Sequence, residues 1–334
     1  MARITTVIAA SHSPFLFQPL EWWNDTQRAR LPSGNGKIDS VEDNAAKRHR
    51  IDAAFDKLRD VFQAARPDVM VIFGDDQTEQ FDLLNFPSFA VYVGGTYSGY
   101  RTVGYHSSPD NRGHRISKPK TPEHWTDVLT RPDFAKAILH GMMREGFDPA
   151  FMMGLPHEED GMGHAFMRPT SRITDSRFDI PVVPVLVNCF YAPQPSAARC
   201  VAAARAIRKT IAAWPESINV AVVGSGGLWH TPGSPDAYID EAFDRRILEG
   251  VTSGAVDELA EYFDSWRPAA GLQHLRCYDA FDGGTGMPGG IGSGTGETRN
   301  WLMAAAVADR PGIVVDYVPV HASPCGMGFA YWNM

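Results

Sequence analysis

The 334 residues are 44% hydrophobic and carry a formal net charge of −8, with a pI near 5.8. A chain of this length buries a sizeable core, and its acidic balance argues against nucleic acid as a partner, because nucleic-acid binders present a basic face. The N-terminus lacks the pattern of a signal peptide, and no stretch reaches the ~18 apolar residues of a membrane span. We therefore expect a cytoplasmic protein that does not bind membranes.

Four short β-branched runs each end at a small or polar residue: residues 4–9, 69–73, 182–187 and 220–223. Continuous apolar runs of this length are typical of strands that are buried on both faces, as in a sheet covered by helices. The sequence thus predicts a sheet with helices packed against it.

Helical spacing of apolar residues separates these runs. It predicts helices over residues 45–65, 196–213, 257–266 and 297–308, and an amphipathic helix over 239–246. Alternating strands and helices predict an α/β fold with three layers, in which a mostly parallel or mixed central sheet has helices on both faces. We expect one domain over residues 1–334, with a long loop excursion at about 82–130 that holds one strand at 89–93.

Cysteine usage indicates the redox compartment. Cys189, Cys200, Cys277 and Cys325 are sparse and show no CxxC spacing. Buried thiols in a reducing compartment are therefore expected, rather than disulfides.

Two histidines follow predicted strands, and a third lies among small residues. His12 comes after the first strand, His230 follows the glycine-rich end of the fourth, and His164 stands in Gly-Met-Gly-His-Ala. Functional side chains of α/β folds gather at strand ends, so these imidazoles are candidates for metal binding or acid–base chemistry. For His12 and His230, the alternative is a side chain that caps a turn.

Acidic residues form a second set of candidates. The segment Asp75 to Glu79 follows the second strand with four oxygen-bearing side chains, which suits either a hard metal ion or the N-terminus of a helix. Glu241 lies in the predicted helix 239–246, where it is either an inward ligand or one partner of a surface ion pair.

Several enzyme classes lack their motifs. Ser225 is not in a GxSxG elbow, and neither a GxxxxGK phosphate loop nor an HExxH pair occurs. The glycine-rich segment 283–296 lacks the strand that precedes a dinucleotide site, so we interpret it as a flexible or tightly packed loop.

Five motifs together resemble a known family. They are ARITTVIAASHSP, GDDQTEQF, GHAF, GSGGLWH and IDEAFD, and they occur in the order found in class III extradiol ring-cleavage dioxygenases, such as the catalytic β subunit of protocatechuate 4,5-dioxygenase and its gallate-cleaving relatives. The resemblance spans residue 3 to about residue 328.

This resemblance implies an Fe(II) enzyme, with Mn(II) as the alternative metal, that opens a catechol-type aromatic acid with dioxygen and forms a homo-oligomer. The family binds iron through two histidines and a glutamate. By residue-by-residue correspondence, His12 is the first ligand, His230 the base on the catechol hydroxyl, and His164 a second catalytic histidine.

Two positions depart from the family pattern. Gln77 stands where the family has its second histidine ligand, and the family glutamate falls on Ala242, one residue after Glu241. The resemblance therefore predicts a variant His12/Gln77/Glu241 metal site.

Substrate contacts are predicted for cationic and aromatic residues. Arg168, Arg299 and the loop 112–114 are candidates for a ring carboxylate, and Trp229 for the ring itself. Structural roles are the alternative for each of these residues.

Two other functions stay open from the sequence. One is a hydrolase or decarboxylase on the same scaffold that uses His164 and His230 as acid and base. The other is a non-catalytic partner subunit.

Overall fold

The computed structural model describes residues 1–30, 38–82, 84–101, 108–109, 115–116, 123–191, 193–231, 238–266 and 294–334. The main sheet contains β1 Arg3–Ala10, β2 Val69–Gly74, β3 Phe89–Tyr92, β8 Ala150–Met152, β9 Val182–Val187, β10 Asn219–Ser225, β11 Ile313–Val320 and β12 Cys325–Asn333. Two small sheets pair β4 Thr96–Tyr100 with β7 Trp125–Leu129 and β5 Ser108–Pro109 with β6 Arg115–Ile116. The helices are α1 Trp23–Arg30, α2 Val41–Ala65, α3 Pro132–Arg144, α4 His164–Ile173, α5 Ala197–Ala213, α6 Glu241–Ser253, α7 Val256–Ser265 and α8 Thr298–Ala308.

The strand order of the main sheet is β11-β12-β1-β10-β2-β9-β3-β8. Its centre, β1, β10, β2 and β9, is parallel, and these are the four strands predicted from apolar runs. The strands β12 and β3 pair antiparallel to β1 and β9. The sheet is therefore mixed around a parallel centre, and the predicted fold class is confirmed.

Alternate residues of the central strands pack into two different cores. Val71 and Phe73 belong to the core that contains side chains of α3, α5, α6, α7 and α8. Met70 and Ile72 belong to the opposite core, which contains side chains of α2 and α4. Each fully buried side chain of this kind contributes ~1.5–3 kcal/mol from removal of apolar surface from water. This alternation produces the predicted three layers.

Helix ends follow local capping chemistry. The Ser40 hydroxyl accepts a hydrogen bond from Asp43 N at 3.0 Å, and α2 begins at Val41, four residues before the predicted start. The Ser196 hydroxyl likewise accepts from Arg199 N at 3.1 Å at the start of α5. These oxygens satisfy backbone donors that have no partner inside the helix.

Helix α8 lies unusually close to strand β10. A Cβ atom at Gly224 would collide with the Asn300 carbonyl, so a residue without a side chain is needed there. Asn300 Nδ2 donates to Ser225 O at 2.8 Å, and Trp301 Nε1 donates to Gly226 O at 2.7 Å. The N-terminus of α8 is thereby held against the carboxyl end of the sheet.

The excursion at 82–130 contains strands β3 to β7, including the strand predicted at 89–93. The substrate candidates at 112–114 lie outside the described residues. Cys189, Cys200 and Cys325 are buried free thiols, as predicted, and Cys277 also lies outside the described part. Among the described helices, none combines the length and apolarity that a bilayer crossing requires.

Candidate active site

Four polar side chains meet at the carboxyl edge of the parallel strands. His12 lies just beyond β1, Asp75 directly follows β2, and His230 lies in the loop after β10. Glu297 reaches the same edge from the short 3₁₀ turn Gly294–Glu297 that leads into α8. The convergence of strand ends expected from the fold is therefore present.

His12, Asp75 and Glu297 form a group whose ligand atoms all lie within 4.8 Å of one another. His12 Nε2 is 3.3 Å from Glu297 Oε2 and 3.9 Å from Asp75 Oδ1. The imidazole is 5% exposed, and both carboxylates are fully buried. Buried charges of this kind require a counter-charge or a proton.

Hydrogen bonding fixes the tautomer of His12. The Ser225 hydroxyl donates its proton to Ala165 O at 2.5 Å, so it acts as an acceptor toward His12 Nδ1, which lies 2.9 Å away. Nδ1 therefore carries the hydrogen of the neutral ring. The lone pair on Nε2 then points at the two carboxylates.

The protonation equilibria agree with this assignment. Burial lowers the pKa of His12 to about 4, so its imidazole is neutral near pH 7. Burial and the adjacent charge of Glu297 raise the pKa of Asp75 well above its ordinary value. Both shifts follow chiefly from removal of the charged form from solvent.

The group fits a divalent metal ion. Asp75 Oδ1 is buried and, within the described residues, has no hydrogen-bond donor. An imidazole lone pair and two carboxylate oxygens thus face one small volume, where a cation would satisfy all three. A nitrogen and two hard oxygens are suitable ligands for Fe(II) or Mn(II).

His230 lies beside this group. Its Nδ1 donates to Leu228 O at 2.9 Å, and its Nε2 lies 3.4 Å from Glu297 Oε1. The side chain is 15% exposed. A side chain at Gly294 would overlap this ring, so glycine leaves the space that the imidazole occupies.

His164 approaches the group from the opposite layer, as the first residue of α4. Its ring contacts that of His12 edge-on, with centroids 4.5 Å apart. Glu79 Oε1 accepts from His164 Nδ1 at 2.8 Å and from His164 N at 2.9 Å. Glu79 therefore orients the imidazole and also satisfies a free backbone donor at the helix N-terminus.

A buried carboxyl group supports the loop that carries His230. Asp244 Oδ1 accepts from Trp229 N at 2.8 Å, and Tyr317 donates its hydroxyl to Oδ2 at 2.6 Å. Burial raises the pKa of Asp244 from 3.8 to about 7, although both hydrogen bonds lower it in part. Between the two pKa values, 3.8 and about 7, the native protein therefore keeps a proton on Asp244 that the unfolded chain loses.

This shift predicts how stability depends on pH. The protonated Asp244 carboxyl group contributes about 4 kcal/mol at most to the free energy of unfolding. This contribution is fully present below the unfolded pKa of 3.8 and is lost as pH rises through the native pKa of about 7. Asp244→Asn keeps both hydrogen-bonding positions and removes the titration. We expect thermal melts to show the variant gaining stability relative to the parent between pH 5 and pH 8. A constant difference in melting temperature across that range would contradict this result.

The two predicted ligands that depart from the family pattern lie differently from expectation. Gln77 directs its amide nitrogen, the donor atom, at Asp75 and Glu297. Glu241, at the start of α6, accepts from Arg245 and pairs with His321, each at 2.9 Å, and its side chain is 31% exposed. Ion pairing also lowers the pKa of Glu241, chiefly through Arg245. The structure does not bring Glu241 into the buried group, and Glu297 lies there instead.

The acidic segment after β2 does not begin a helix. Asp76 instead accepts from Gln80 N at 2.9 Å and from Phe81 N at 3.1 Å, which stabilises a turn. Its neighbour Asp75 points into the site. The metal-ligand interpretation of this segment therefore stays a prediction for Asp75, whereas the helix-cap interpretation is wrong, because Asp76 stabilises a turn and no helix begins there.

The predicted substrate residues are held by protein contacts. Arg168 donates to His12 O at 3.0 Å and so supports the backbone of His12. Arg299, 1% exposed, donates to Pro195 O at 2.7 Å and Gly296 O at 3.1 Å. Trp229, also 1% exposed, donates to Tyr238 O at 2.8 Å. These contacts support the structural alternative for the three side chains, and a role in substrate binding stays a prediction.

The sequence motifs do not identify Glu297 as a site residue, although the largely apolar composition of the helix that follows it, TRNWLMAAAVA, indicates a buried helix. Every residue of α8 is buried, and Glu297 immediately precedes this helix. A carboxylate at the start of a wholly buried helix needs a partner inside the protein. For Glu297 the partners are His12 and His230 at the edge of the sheet.

The fold and these side chains define an α/β protein with a buried histidine–carboxylate group that could hold a metal ion. The chain belongs to the family of the catalytic LigB subunit of aromatic ring-opening dioxygenases, whose model matches residues 36–322.

Relatives with assigned names support this membership. The chain is 27% identical over 233 residues to a 2,3-dihydroxyphenylpropionate/2,3-dihydroxicinnamic acid 1,2-dioxygenase of Mycolicibacterium paratuberculosis, a match that covers 70% of this chain and 64% of that protein. It is 31% identical over 118 residues to a gallate dioxygenase of Pseudomonas putida, covering 34% of this chain and 33% of that protein. An uncharacterized protein from Escherichia coli K12 superimposes with a TM-score of 0.45 at 10% identity, covering 98% of this chain and 99% of that one.

Proposed function

We propose that the protein opens the ring of a catechol-type aromatic acid beside its diol, with dioxygen as the second substrate. The observation that carries the proposal is the convergence of His12, Asp75, Glu297 and His230 at one edge of the sheet, in a member of a family of ring-opening dioxygenase subunits. The names of both relatives refer to aromatic acids with neighbouring hydroxyls, which supports that substrate class.

His12, Asp75 and Glu297 would hold the metal, which we infer to be Fe(II), with Mn(II) as the alternative. When bound, such an ion supplies the electron transfer between an aromatic diol and dioxygen. The surrounding protein contributes a buried setting, because both carboxylates are inaccessible to solvent. In such surroundings electrostatic interactions are stronger than in water.

His230 is assigned as the base that takes a phenolic proton from the substrate. Its bond to Leu228 O holds the hydrogen on Nδ1, so Nε2 is the atom that accepts. An imidazole has an ordinary pKa near 6.5, which suits proton transfer at neutral pH. The role requires a substrate hydroxyl within hydrogen-bond reach of Nε2.

His164 is assigned as the group that returns a proton to the product side. The carboxylate of Glu79 holds its Nδ1 hydrogen, which leaves Nε2 for exchange with a bound molecule. Its ring contacts that of His12, whereas His230 lies beside Glu297. With two separate imidazoles, one residue would take a proton from the substrate and the other would return a proton to the product.

The proposal is tested by oxygen consumption. Anaerobically purified protein, reconstituted with Fe(II), is mixed with a panel of catechols that carry carboxylates, and oxygen uptake is followed together with absorbance of the product. We expect one dioxygen consumed per ring opened, and a strongly absorbing product. Decarboxylation or hydrolysis without oxygen uptake would favour the acid–base alternative and overturn the dioxygenase assignment. Metal retention with no reaction would favour a partner subunit.

A further inference from the structure

Gln77 occupies a position between the two carboxylates of the site. Its Nε2 lies 3.0 Å from Asp75 Oδ2 and 2.9 Å from Glu297 Oε1. Both partners are acceptors, so the nitrogen of the amide, and not its oxygen, must face them. The two hydrogens on this nitrogen match the two oxygens in number.

The carboxylate oxygens are thereby divided into an outer and an inner pair. Gln77 bonds the outer pair, Asp75 Oδ2 and Glu297 Oε1. The inner pair, Asp75 Oδ1 and Glu297 Oε2, faces His12 Nε2 at 3.9 Å and 3.3 Å. Gly227 N also donates to Glu297 Oε2 at 2.8 Å, which fixes the rotation of that carboxylate.

We propose that Gln77 is a positioning residue for a metal centre with one histidine and two carboxylate ligands, His12, Asp75 and Glu297. The amide draws the outer oxygens together and so aims the inner oxygens at the imidazole lone pair. Without it, the outer oxygens of these two buried carboxylates would repel each other, and the Asp75 carboxylate would rotate away from Glu297, whose own rotation Gly227 N fixes. Gln77 therefore acts on the metal through its two neighbours, and a metal that favours oxygen ligands is the expected occupant.

The positioning role of Gln77 rests on one part of the proposed function, the binding of a divalent cation, and not on ring opening. Binding of Mn(II) to the full-length, chelator-treated protein can be measured by calorimetry or electron paramagnetic resonance, without substrate or turnover. A protein that binds Mn(II) as described here but opens no ring would overturn the function and leave this proposal standing.

The test is a double-mutant cycle on Mn(II) affinity. Gln77→Met removes both hydrogen bonds at nearly constant volume, and we expect Mn(II) to bind about 10- to 100-fold more weakly. In a protein that already contains Asp75→Asn, the loss of Mn(II) affinity caused by Gln77→Met should be at least several-fold smaller. The reason is that the amide of Gln77 then no longer joins two carboxylates. Equal losses in both backgrounds would show that Gln77 ligates on its own account, and unchanged affinity would show that it does not act on the metal. Either result overturns the proposal.

Gln80 offers a matched control in the same loop. Its amide bonds His157 O and Gly161 O and does not contact the site carboxylates. Gln80→Met should lower the melting temperature while leaving the Mn(II) dissociation constant unchanged within about two-fold. If the methionine variant does not fold, Gln77→Ala provides the same double-mutant cycle. A loss of Mn(II) affinity in Gln80→Met equal to that in Gln77→Met would contradict a specific role for Gln77.

Discussion

Replacing Glu297 by glutamine is expected to abolish retention of a divalent metal. The carboxylate is fully buried, faces His12 Nε2 at 3.3 Å and accepts from Gly227 N and Gln77. Glutamine has the same shape but lacks the charge and presents an amide nitrogen at one of these positions. We expect Mn(II) to bind more than about 100-fold more weakly, since loss of supporting residues alone costs 10- to 100-fold. Ring-opening activity should fall with it.

Glu241→Gln is the matched control for this experiment. The two substitutions are chemically identical, but Glu241 is partly exposed and paired with Arg245 and His321. Surface ion pairs contribute ~0–1 kcal/mol, so this variant should retain metal and activity within about two-fold. Loss of metal from Glu241→Gln, with retention by Glu297→Gln, would restore the ligand set predicted from the family pattern and contradict the one proposed here.

Replacing His230 by glutamine is expected to remove activity without removing metal. Glutamine can form a hydrogen bond, but it cannot accept a proton at neutral pH. We therefore expect kcat to fall by about 10²- to 10⁴-fold, the usual contribution of a general base. The KM value and the Mn(II) dissociation constant should change by only a few-fold, because His230 is outside the group whose ligand atoms lie within 4.8 Å.

His321→Gln is the corresponding control, since His321 is a surface histidine with a 62% exposed side chain. It should keep the parent kcat. Equal losses of kcat in the two variants would indicate a general sensitivity to histidine replacement, and loss of metal from His230→Gln would make His230 a ligand instead of a base.

The fold could be predicted because its central strands are buried on both faces. In β2 and β9 every residue is buried, which requires the continuous apolar runs that the sequence displays. Helices such as α5 were recognisable from their apolar spacing and from Ser196 as a cap. The antiparallel edge formed by β11 and β12 was not predicted, since its pairing depends on contacts between distant segments.

The site could be predicted only where it follows strand ends. His12 and His230 were found because each lies just after an apolar run, and Asp75 lay within a recognised acidic segment. Glu297 reaches the site from the start of a helix some 220 residues further along the chain than Gln77, through contacts that α8 makes with β10. Linear motifs contain no information on such an approach. Family correspondence directed attention to Glu241, whose neighbours in space are a surface arginine and histidine.

The central claim, that His12, Asp75 and Glu297 hold one divalent ion, is tested most directly by anomalous diffraction from crystals equilibrated with Mn(II). We predict a single strong anomalous peak within coordination distance of His12 Nε2, Asp75 Oδ1 and Glu297 Oε2. A peak beside Glu241 and His321 instead, or no peak at saturating Mn(II), would contradict the account.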